Sequence, residues 1–398
     1  MRKLMFALSL LLYANSAWSQ NFQKTMKLLP GTGQITSYTS TFGEDADYNI
    51  NPPFFKLNGD GTVTDTVTGL MWQQTDGGEM TVESAISYCD TLALGGYSNW
   101  RLPNCHESFS ILHHDKPNPA IDTRYFTKTN AEYWWSSDRQ LNDANKIWVT
   151  NAGGGVGNHA KTETISAGGT KRFHVRAVRD VQSPEILSDH FVKMGNGITI
   201  DKYTGLSWLQ APLPDSLTWE NALLMAENLS FGNYDDWRMP DIKELQSINS
   251  ENFMNPSLDQ NYFPGVRIGK YWASTSLPNQ TSKAWYLDTR FGITTYESKT
   301  NKLLLLCVRG NKMSLGFENF KSIDYSVQIF PNPTSHSIKI KCSKTIDLIN
   351  ISDNLGRIIA QIFPQSNELI WNFEEQGIYC ITIFKDGNRI SKFINVIK

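Results

Sequence analysis

Alternating apolar and polar positions mark the start of two similar segments of the chain. The alternation over residues 62–64 follows the turn residues 58–61, and the alternation over residues 198–200 follows the turn residues 195–197. Asn and Gly in such turns connect antiparallel strands because they tolerate positive backbone φ angles. The pattern therefore predicts that each segment opens with a strand pair.

A helical pattern follows each predicted strand pair. Apolar residues recur at intervals of three and four over residues 82–92 and 219–229, which predicts one helix in each segment. A second, short helix is indicated by capping-box spacing, in which the cap side chain and a glutamate three residues later each accept a free backbone N–H. The residues at the cap positions are Thr81 and Thr218 for the longer helices, and Asn104 with Glu107 and Asp241 with Glu244 for the shorter ones. Aromatic and β-branched residues in the remainder predict short antiparallel strands, so each segment is expected to be α+β.

The two segments are copies of one sequence. YSNWRLP at residues 97–103 recurs as YDDWRMP at residues 234–240, and DxxTGLxW at residues 65–72 recurs at residues 201–208. The tryptophans repeated at matched positions are Trp72, Trp100 and Trp148 in the first copy and Trp208, Trp237 and Trp285 in the second. Each copy spans about 120 residues, an ordinary size for one domain. We therefore expect two similar domains side by side, each with its own core.

The chain is predicted to have five parts. Residues 1–19 contain two basic residues, an apolar run and small residues in the order of a secretory signal peptide. An extended leader with little regular structure follows at residues 20–52, before the first repeat at 53–181 and the second repeat at 190–311. Strand-like runs separated by turns at residues 326–398 predict a small all-β sandwich.

Composition and charge narrow the classes of function. With 398 residues, 40% hydrophobic and 19% charged, the chain is long enough for two or three globular domains. The formal net charge of −2 gives no general electrostatic case for nucleic acid or an anionic membrane surface. Beyond the signal peptide, no segment is long and apolar enough to span a bilayer. We expect an exported protein with no nucleic-acid partner and no membrane span after signal cleavage.

Five cysteines in an exported chain permit disulfides. They are Cys89, Cys105, Cys307, Cys342 and Cys380. The first copy has Cys89 on its first helix where the second has Ala226, and the second has Cys307 near its end where the first has Ala177. Three arrangements are open for these thiols: buried and free, bridged between Cys89 and Cys307, or bridged between Cys89 and Cys105. Buried free thiols are favoured because free Cys commonly packs as a small hydrophobe.

The repeated motifs resemble the DUF1566 family, also called the Legionella collagen-like protein C-terminal domain family. The resemblance rests on GDGTVTD at 59–65, TGLMW at 68–72, WRLP at 100–103 and the closing pair Val178-Arg179. It implies a C-type-lectin-like fold and a surface-binding module of the kind that acts in adhesins on sulfated glycans. Members of the family often have a cysteine on the first helix and another in the closing strand. Each copy here keeps only one of the two, which excludes that intradomain disulfide.

The C-terminal segment resembles the sorting domain that sends Bacteroidetes proteins through the type IX secretion system. The residues that carry this resemblance are Pro331, Asn332, Pro333, Asn354, Gly356, Arg357, Gly377, Ile378 and Tyr379. The resemblance implies that the type IX machinery is a partner and that the domain is removed during export. It also implies that the product is extracellular or on the outer-membrane surface.

Aromatic side chains are the first candidates for ligand contact, because a sugar ring stacks its C–H face on a flat side chain. The six matched tryptophans are assigned to the core, since large aromatics dominate core burial. Pro103 and Pro240 are assigned with them to the structural motif. Trp135 and Tyr286 have no aromatic counterpart in the other copy, so they are the candidates for exposed, ligand-binding positions.

Arg101 and Arg238, each between Trp and an apolar residue, are candidates for binding an anion such as a sulfate through the planar guanidinium. The alternative is a structural pairing, because buried arginines are normally paired. Asp65, Asp201 or carbonyls of the following loop are the partners that the sequence offers.

Metal and catalytic chemistry are weakly indicated. Asn233, Asp235 and Asp236 offer oxygen ligands, but calcium takes six to eight, and no metal or cofactor is expected. RLP before a helix containing Glu also resembles formylglycine-generating enzymes, which use cysteines, yet Cys105 has no counterpart in the second copy. We expect an adhesin-like binding protein rather than an enzyme, with glycans or other surface components as partners. The alternatives are a structural surface or matrix protein without a small ligand and, third, an enzyme.

Overall fold

The computed structural model describes residues 22–48, 50–164, 172–310, 326–352, 358–364, 366–385 and 388–397. The predicted signal peptide and the sorting-motif residues Asn354, Gly356 and Arg357 lie outside these ranges. The chain is mostly β, with 37% strand and 10% helix. It divides into two compact units, Met1–Ser314 and Leu315–Lys398, so both repeats belong to the first unit. Among the described helices, none combines the length and hydrophobicity needed to cross a membrane.

The leader and the first repeat follow the predicted order of a strand pair, two helices and further strands. Their elements are β1 (Phe22–Lys24), a 3-10 turn (Asp45–Asp47), β2 (Phe55–Leu57), β3 (Thr62–Asp65), β4 (Leu70–Gln73), α1 (Val82–Thr91), α2 (Cys105–Ser110), β5 (Tyr133–Gln140), β6 (Asp143–Asn151), β7 (Val156–Ala160), β8 (Phe173–His174) and β9 (Val178–Asp180). Strands β2-β3-β4-β9 form a small four-stranded sheet. The closing strand β9 therefore lies beside the strands that open the repeat.

The second repeat has the same order of elements. They are β10 (Glu185–Leu187) in the linker, then β11 (Phe191–Met194), β12 (Ile198–Asp201), β13 (Ser207–Leu209), α3 (Trp219–Glu227), α4 (Ile242–Ile248), β14 (Lys270–Ser276), β15 (Lys283–Asp288), β16 (Ile293–Ser298) and β17 (Val308–Arg309). Strands β11-β12-β13-β17 form the equivalent four-stranded sheet.

Capping side chains explain where three of the four helices begin. Thr81 accepts a hydrogen bond from the Ser84 N–H at the start of α1, and both predicted capping boxes are formed, at α2 and α4. Thr218 stands at the cap position of α3 but makes no side-chain cap bond, so that predicted contact is wrong. The next residue, Trp219, is fully buried, and its packing fixes the start of α3 instead.

One sheet joins the two repeats. Strands β14-β15-β16 of the second repeat and β7-β6-β5-β8 of the first form a seven-stranded sheet in that order. The junction is an antiparallel bridge between Val156 and Thr294 on the equivalent edge strands β7 and β16. The Val156 N–H donates to Thr294 Oγ1 across it, at 2.9 Å. Antiparallel pairing of equivalent edges relates the repeats by an approximate twofold axis.

The hydrophobic core also extends across both repeats. One cluster of buried residues contains Phe109 and Trp148 of the first repeat together with Trp237 and Trp285 of the second. The first repeat keeps a further cluster around Trp135. The expectation that each repeat has a core of its own is therefore wrong for this shared cluster, whereas the first repeat also has clusters almost entirely its own around Trp135 and Trp72. Pairing of the two edge strands and contact between α2 and α4 bury surfaces that separate domains would leave exposed.

The leader crosses from the first repeat to the second. Its strand β1 pairs antiparallel with β10 of the linker, and its remainder is largely irregular, as predicted. Beyond β1, the Gln34 side chain exchanges two hydrogen bonds with the backbone of Ser276, at 3.0 and 3.1 Å. The interpretation of the leader as a lead-in to the first repeat is thus incomplete, since it also packs on β14 of the second.

Large and small residues are exchanged between equivalent positions of the repeats. In the first repeat, Trp135 on β5 shares a cluster with Val82 on α1, and its Nε1–H donates to Met80 O at 2.8 Å. The equivalent residues of the second repeat are Ala273 and Trp219, and there the Trp219 Nε1–H donates to Ala273 O at 2.8 Å. An indole thus joins helix and strand in each repeat, but it comes from opposite elements.

Cysteine and alanine are likewise exchanged between equivalent positions of the repeats. Cys89 and Cys307 are fully buried, and all five cysteines are free. The free-thiol arrangement is therefore confirmed, and neither of the two bridges is formed. Burial raises the pKa of the Cys89 thiol to about 12 and raises that of Cys307 as well. The thiols behave as small core side chains.

The C-terminal unit is the predicted sandwich. Its strands are β18 (Val327–Phe330), β19 (Ser337–Cys342), β20 (Leu348–Ser352), β21 (Ile358–Ile362), β22 (Glu368–Asn372), β23 (Gly377–Lys385) and β24 (Asn388–Val396). They form sheets β18-β19-β22 and β21-β20-β23-β24 around a common core rich in isoleucine. Of the sorting-motif residues, Pro331, Asn332 and Pro333 form an exposed turn. Gly377 begins β23, and Tyr379 on the same strand packs against Phe373.

Candidate functional site

The six matched tryptophans are buried, as predicted, with exposed fractions between 0% and 4%. Trp135 and Tyr286, which the sequence offered as exposed, are buried as well, at 0% and 6%. Trp135 stacks on Phe173, and Tyr286 lies on the central strand β15 with a neighbour on either side. The prediction of exposure is therefore wrong for both. An unmatched aromatic here reflects the exchange of core residues between repeats, which sequence alone does not reveal.

Arg101 and Arg238 bind the glutamate of the capping box that follows each of them. Arg101 donates to the two Glu107 oxygens at 2.7 and 2.8 Å, and Arg238 donates to the two Glu244 oxygens at 2.6 Å each. The same glutamates accept the backbone N–H of the cap residue. One carboxylate thus fixes the helix start and the WRLP or WRMP segment together.

The partners that the sequence offered for these arginines are wrong. Asp65 and Asp201 instead accept backbone N–H groups of the tight turns that follow them. Asp180 at the end of β9 gives Arg101 a second carboxylate, at 2.8 Å. Position 310, which is equivalent in the second repeat, is a glycine, and its carbonyl accepts from Arg238 at 3.4 Å.

Neither arginine is placed to bind an external anion. Four of the five guanidinium N–H groups of Arg101 already donate to carboxylates. Arg238 is 1% exposed, so solvent does not reach it. The geometry favours the structural alternative for both residues.

The leader is what covers Arg238. The Tyr48 ring lies 5.5 Å from the guanidinium carbon, and the Tyr48 hydroxyl bonds to Glu227 on α3. Asp45 accepts from Thr32 at 2.8 Å and from Thr275 on β14 at 2.6 Å. The cavity left under the leader measures about 30 Å³, which is room for roughly one water molecule. This seam is a docking contact and not a sugar-binding pocket.

Docking of the leader is expected to depend on pH through Asp45. Burial raises the pKa of this carboxyl to about 6, and nearby Glu244 adds to the shift while Lys243 opposes it. Because the pKa of Asp45 is higher in the folded than in the unfolded state, protonation of Asp45 stabilises the fold. This stabilisation is fully present below the unfolded-state pKa. That contribution is lost as pH rises through the folded pKa. We expect Asp45 to lower the urea unfolding midpoint of the native chain between about pH 4 and pH 6, whereas His113 and His114, whose pKa values burial lowers, act in the opposite direction.

The matched variants for that experiment are Asp45→Asn and Asp215→Asn. Asn at position 45 keeps an oxygen acceptor without the titrating charge, so the fall between these pH values should be reduced. Asp215 is exposed, and its variant should follow the native chain. An unchanged slope in Asp45→Asn would contradict the assignment to Asp45.

An exposed tyrosine occurs at the same place in both repeats. Tyr97 is 40% exposed and Tyr234 is 39% exposed. The guanidinium carbon of Arg179 lies 3.8 Å from the centre of the Tyr97 ring, and that of Arg309 lies 3.6 Å from the centre of the Tyr234 ring. Each arginine is itself held, by Asn99 Oδ1 at 2.9 Å or by Asp236 Oδ1 at 2.7 Å. The two rings are therefore fixed on the closing strands.

A tight turn holds each tyrosine from the other side. Leu94 and Tyr97 exchange backbone hydrogen bonds around Gly95-Gly96, and Phe231 and Tyr234 do so around residues 232–233. All four central residues have positive φ angles, between 60° and 79°, which suits only Gly and Asn in such turns. The buried indoles of Trp100 and Trp237 donate to the carbonyls of the turns. The exposed rings are thus part of a rigid turn.

Each turn packs on the loop between the opening strands of its repeat. A Cβ placed on Gly95 would lie 2.9 Å from Asp60 Oδ2, and one on Gly232 would lie 3.3 Å from Asn196 Nδ2. We call the resulting surfaces the Tyr97 platform and the Tyr234 platform. The Tyr97 platform comprises residues 58–61 and 94–99, and the Tyr234 platform comprises residues 195–197 and 231–236. Phe231, 39% exposed, gives the second platform an additional aromatic ring.

The sequence contained a signal for these platforms that its interpretation missed. Tyr97 and Tyr234 begin the repeated heptad, but recurrence alone does not distinguish an exposed residue from a buried one. The Gly-Gly and Gly-Asn pairs directly before them mark tight turns, and residues beside such turns are usually at the surface. Turn chemistry would have separated these tyrosines from the tryptophans.

The thiol that the enzyme alternative requires is inaccessible. Cys105 is fully buried at the start of α2, and burial raises its pKa well above the usual value. A reactive cysteine needs a thiolate and partial exposure. Within the described ranges, no three or more His, Cys, Asp or Glu side chains are grouped to hold a metal ion. Asp236, considered as a calcium ligand, binds Arg309 instead.

Comparison with known proteins identifies two families. The Lcl C-terminal domain matches residues 61–179 and again residues 197–309, and the secretion system C-terminal sorting domain matches residues 328–397. No curated protein matches the chain.

Among solved structures, the chain is similar to PorZ, described as an essential bacterial surface component of the type-IX secretion system of Porphyromonas gingivalis. The identity is 13%, and the similarity covers 67% of this chain and 30% of the PorZ chain. The TM-score is 0.18, which is too low to support an argument about fold or function.

Proposed function

This chain belongs to the family of the Lcl C-terminal domain, and on that premise we propose that it binds a surface glycan through the Tyr97 and Tyr234 platforms. Its sorting domain implies export by the type IX system to the cell surface or the extracellular space, and interaction with that machinery. The proposed product is an adhesin-like protein from which the sorting domain is removed during export.

One observation carries the proposal: the same rigid, exposed tyrosine occurs in both repeats. A ring that served only the core would be buried, as the six matched tryptophans are. One face of the Tyr97 ring lies on a guanidinium, and the residue is 40% exposed, so part of it is open to a ligand. The negative face of an aromatic ring attracts the positively polarised C–H groups of a sugar. Rigidity lowers the entropy lost on binding.

Finer points of the proposal come from the family. It implies a C-type-lectin-like fold, and the arrangement of two helices with antiparallel sheets in each repeat is compatible with that class. The domain limits that we propose, 53–181 and 190–311, are those of the two repeats in the sequence. Binding without catalysis is also part of the proposal, as is the absence of a cofactor.

Two platforms on one compact unit suit a polymeric ligand. If both engage the same chain of sugars or the same surface, binding tightens by about 10²–10⁴ over a single site. Weak contacts at each tyrosine would then be sufficient for adhesion. A structural surface protein, the alternative function, would not need exposed aromatic rings in either repeat.

Substitution of the tyrosines tests the proposal. In binding to a glycan array, Tyr97→Ala or Tyr234→Ala should weaken a hit roughly tenfold, equivalent to about 1.4 kcal/mol, because each removes one stacking surface. The double variant should approach background as the gain from two linked sites is lost. Tyr97→Phe and Tyr234→Phe should retain most binding because they keep the ring.

Phe291→Ala provides the matched control for this experiment. Phe291 is 42% exposed and lies on the β15–β16 turn, outside both platforms, so its removal should leave binding unchanged. Equal losses for Phe291→Ala and Tyr234→Ala would argue against the platforms. Binding to no glycan, combined with self-association of the protein, would favour the structural alternative.

A further inference from the structure

We infer that the ligand of the two platforms is an uncharged sugar chain and not a sulfated one. The inference rests on the proposed function and concerns the charge of the ligand. It differs from what the family resemblance implies, since that resemblance points to sulfated glycans. The charges fixed around each tyrosine decide between the two.

The loops of the two platforms contain acidic residues but no basic ones. Residues 58–61 and 94–99 contain Asp60 and no Lys or Arg, and residues 195–197 and 231–236 contain Asp235 and Asp236 and no Lys or Arg. Adding the arginine under each tyrosine makes the sum of formal charges zero for the Tyr97 platform and −1 for the Tyr234 platform.

Both arginines have partners within the protein, and the Arg309 side chain is 21% exposed. Arg179 is 8% exposed, with its Nε–H on Asn99 and its plane against Tyr97. Arg309 donates to both oxygens of Asp236, at 2.7 and 3.2 Å. A sulfate that replaced these partners would leave a carboxylate or an amide without its donor. Loss of such charged hydrogen bonds is unfavourable.

The exposed acids also act against an anionic ligand. Asp60 and Asp235 are exposed and lie in the loops that frame the tyrosines. At physiological salt, charges interact over about 8 Å, which is the scale of a single sugar ring. A sulfated chain would therefore meet repulsion at the rings on which it must stack, whereas a neutral sugar would not.

Polar groups suited to sugar hydroxyls are present on the same surfaces. Ser98 on the Tyr97 platform and Asn196 and Asn233 on the Tyr234 platform are exposed. Hydroxyl and amide groups can donate to or accept from neutral sugar hydroxyls, and carboxylates can accept from them. An aromatic face with such groups around it is a complete set of contacts for an uncharged pyranose.

The alternative, a sulfated ligand, is tested at the lysines that lie closest to the platform loops along the chain. Lys56 on β2 and Lys193 on β11 are exposed and stand on the strands that lead into the first loop of each platform. The loops themselves supply no basic residue, so these two lysines are the cations whose contact with a sulfated ligand is tested. The double variant Lys56→Ala/Lys193→Ala therefore tests whether the ligand is sulfated. The double variant Tyr97→Ala/Tyr234→Ala tests whether the ligand binds at the platforms.

The test uses the chain from residue 20 onward on an array of glycans that are each present in unsulfated and sulfated form, at low and high salt. We expect binding to unsulfated members, unchanged within about twofold by salt, lost in the double tyrosine variant and kept in the double lysine variant. Hits confined to sulfated members, weakened by salt and lost in the lysine variant, would overturn the uncharged ligand while leaving glycan binding in place. A blank array would overturn both proposals.

Discussion

Replacing Arg238 with methionine is expected to lower the free energy of unfolding by about 3–5 kcal/mol, the usual cost of removing one partner from a buried ion pair. Arg238 and Glu244 are both buried, so Arg238→Met leaves the Glu244 carboxylate without its counterion and beyond the reach of solvent. Glu244 must also keep its bond to the backbone of Asp241. The result would be read from urea unfolding at pH 7.

The first repeat supplies the matched comparison. Arg101 makes the same paired contact with Glu107, but its side chain is 33% exposed because no leader segment covers it. Water can replace part of what is lost, so Arg101→Met should cost less, on the order of 1.5–3 kcal/mol. The double variant Arg238→Met/Glu244→Leu should recover part of the loss, since it removes both buried charges. Equal losses in the two single variants would mean that the leader does not shield the second pair.

Trp135→Ala is expected to destabilise the protein by about 3–5 kcal/mol, as is typical for deletion of a buried indole. The change makes position 135 identical to its equivalent, Ala273, in the second repeat. There the missing volume is filled from the helix by Trp219. We therefore expect the added substitution Val82→Trp to recover part of the loss, because it introduces an indole where the second repeat has one.

Urea unfolding of the native chain, the two single variants and the double variant would measure the coupling between positions 82 and 135. In the native chain, Val82→Trp alone should be destabilising, since the space between α1 and β5 is already filled and overpacking is unfavourable. The double variant is expected to be less destabilised than the sum of the losses in the two single variants. Additive effects would show that the repeats do not interchange these positions.

Local sequence patterns were sufficient for most of the secondary structure. The helix at Val82–Thr91 and the capping boxes of α2 and α4 follow from side chains within a few residues of each other. The sandwich strand Ser337–Cys342 follows from alternation in the same way. Thr218 departs from the pattern because packing of Trp219 fixes the start of its helix.

The site was predicted less well because exposure depends on distant residues. Trp135 and Tyr286 are unmatched between the repeats, yet their surroundings bury them. Tyr97 and Tyr234 are matched yet exposed, because a tight turn and an arginine from the closing strand hold them at the surface. A residue that recurs in both repeats has a role in each of them, but its burial depends on which residues pack over it.

The duplication, the order of strands and helices in each repeat, the sorting domain and the absence of an intradomain disulfide all follow from the sequence. Each of these depends on residues that are close in the chain or on direct comparison of the two copies. The sharing of one sheet through β7 and β16, and the cover of the leader over Arg238 while Arg101 stays partly open, emerge only from the folded structure. Those outcomes depend on contacts between residues that are far apart in the chain, and no local pattern of apolar and polar positions encodes which surfaces meet.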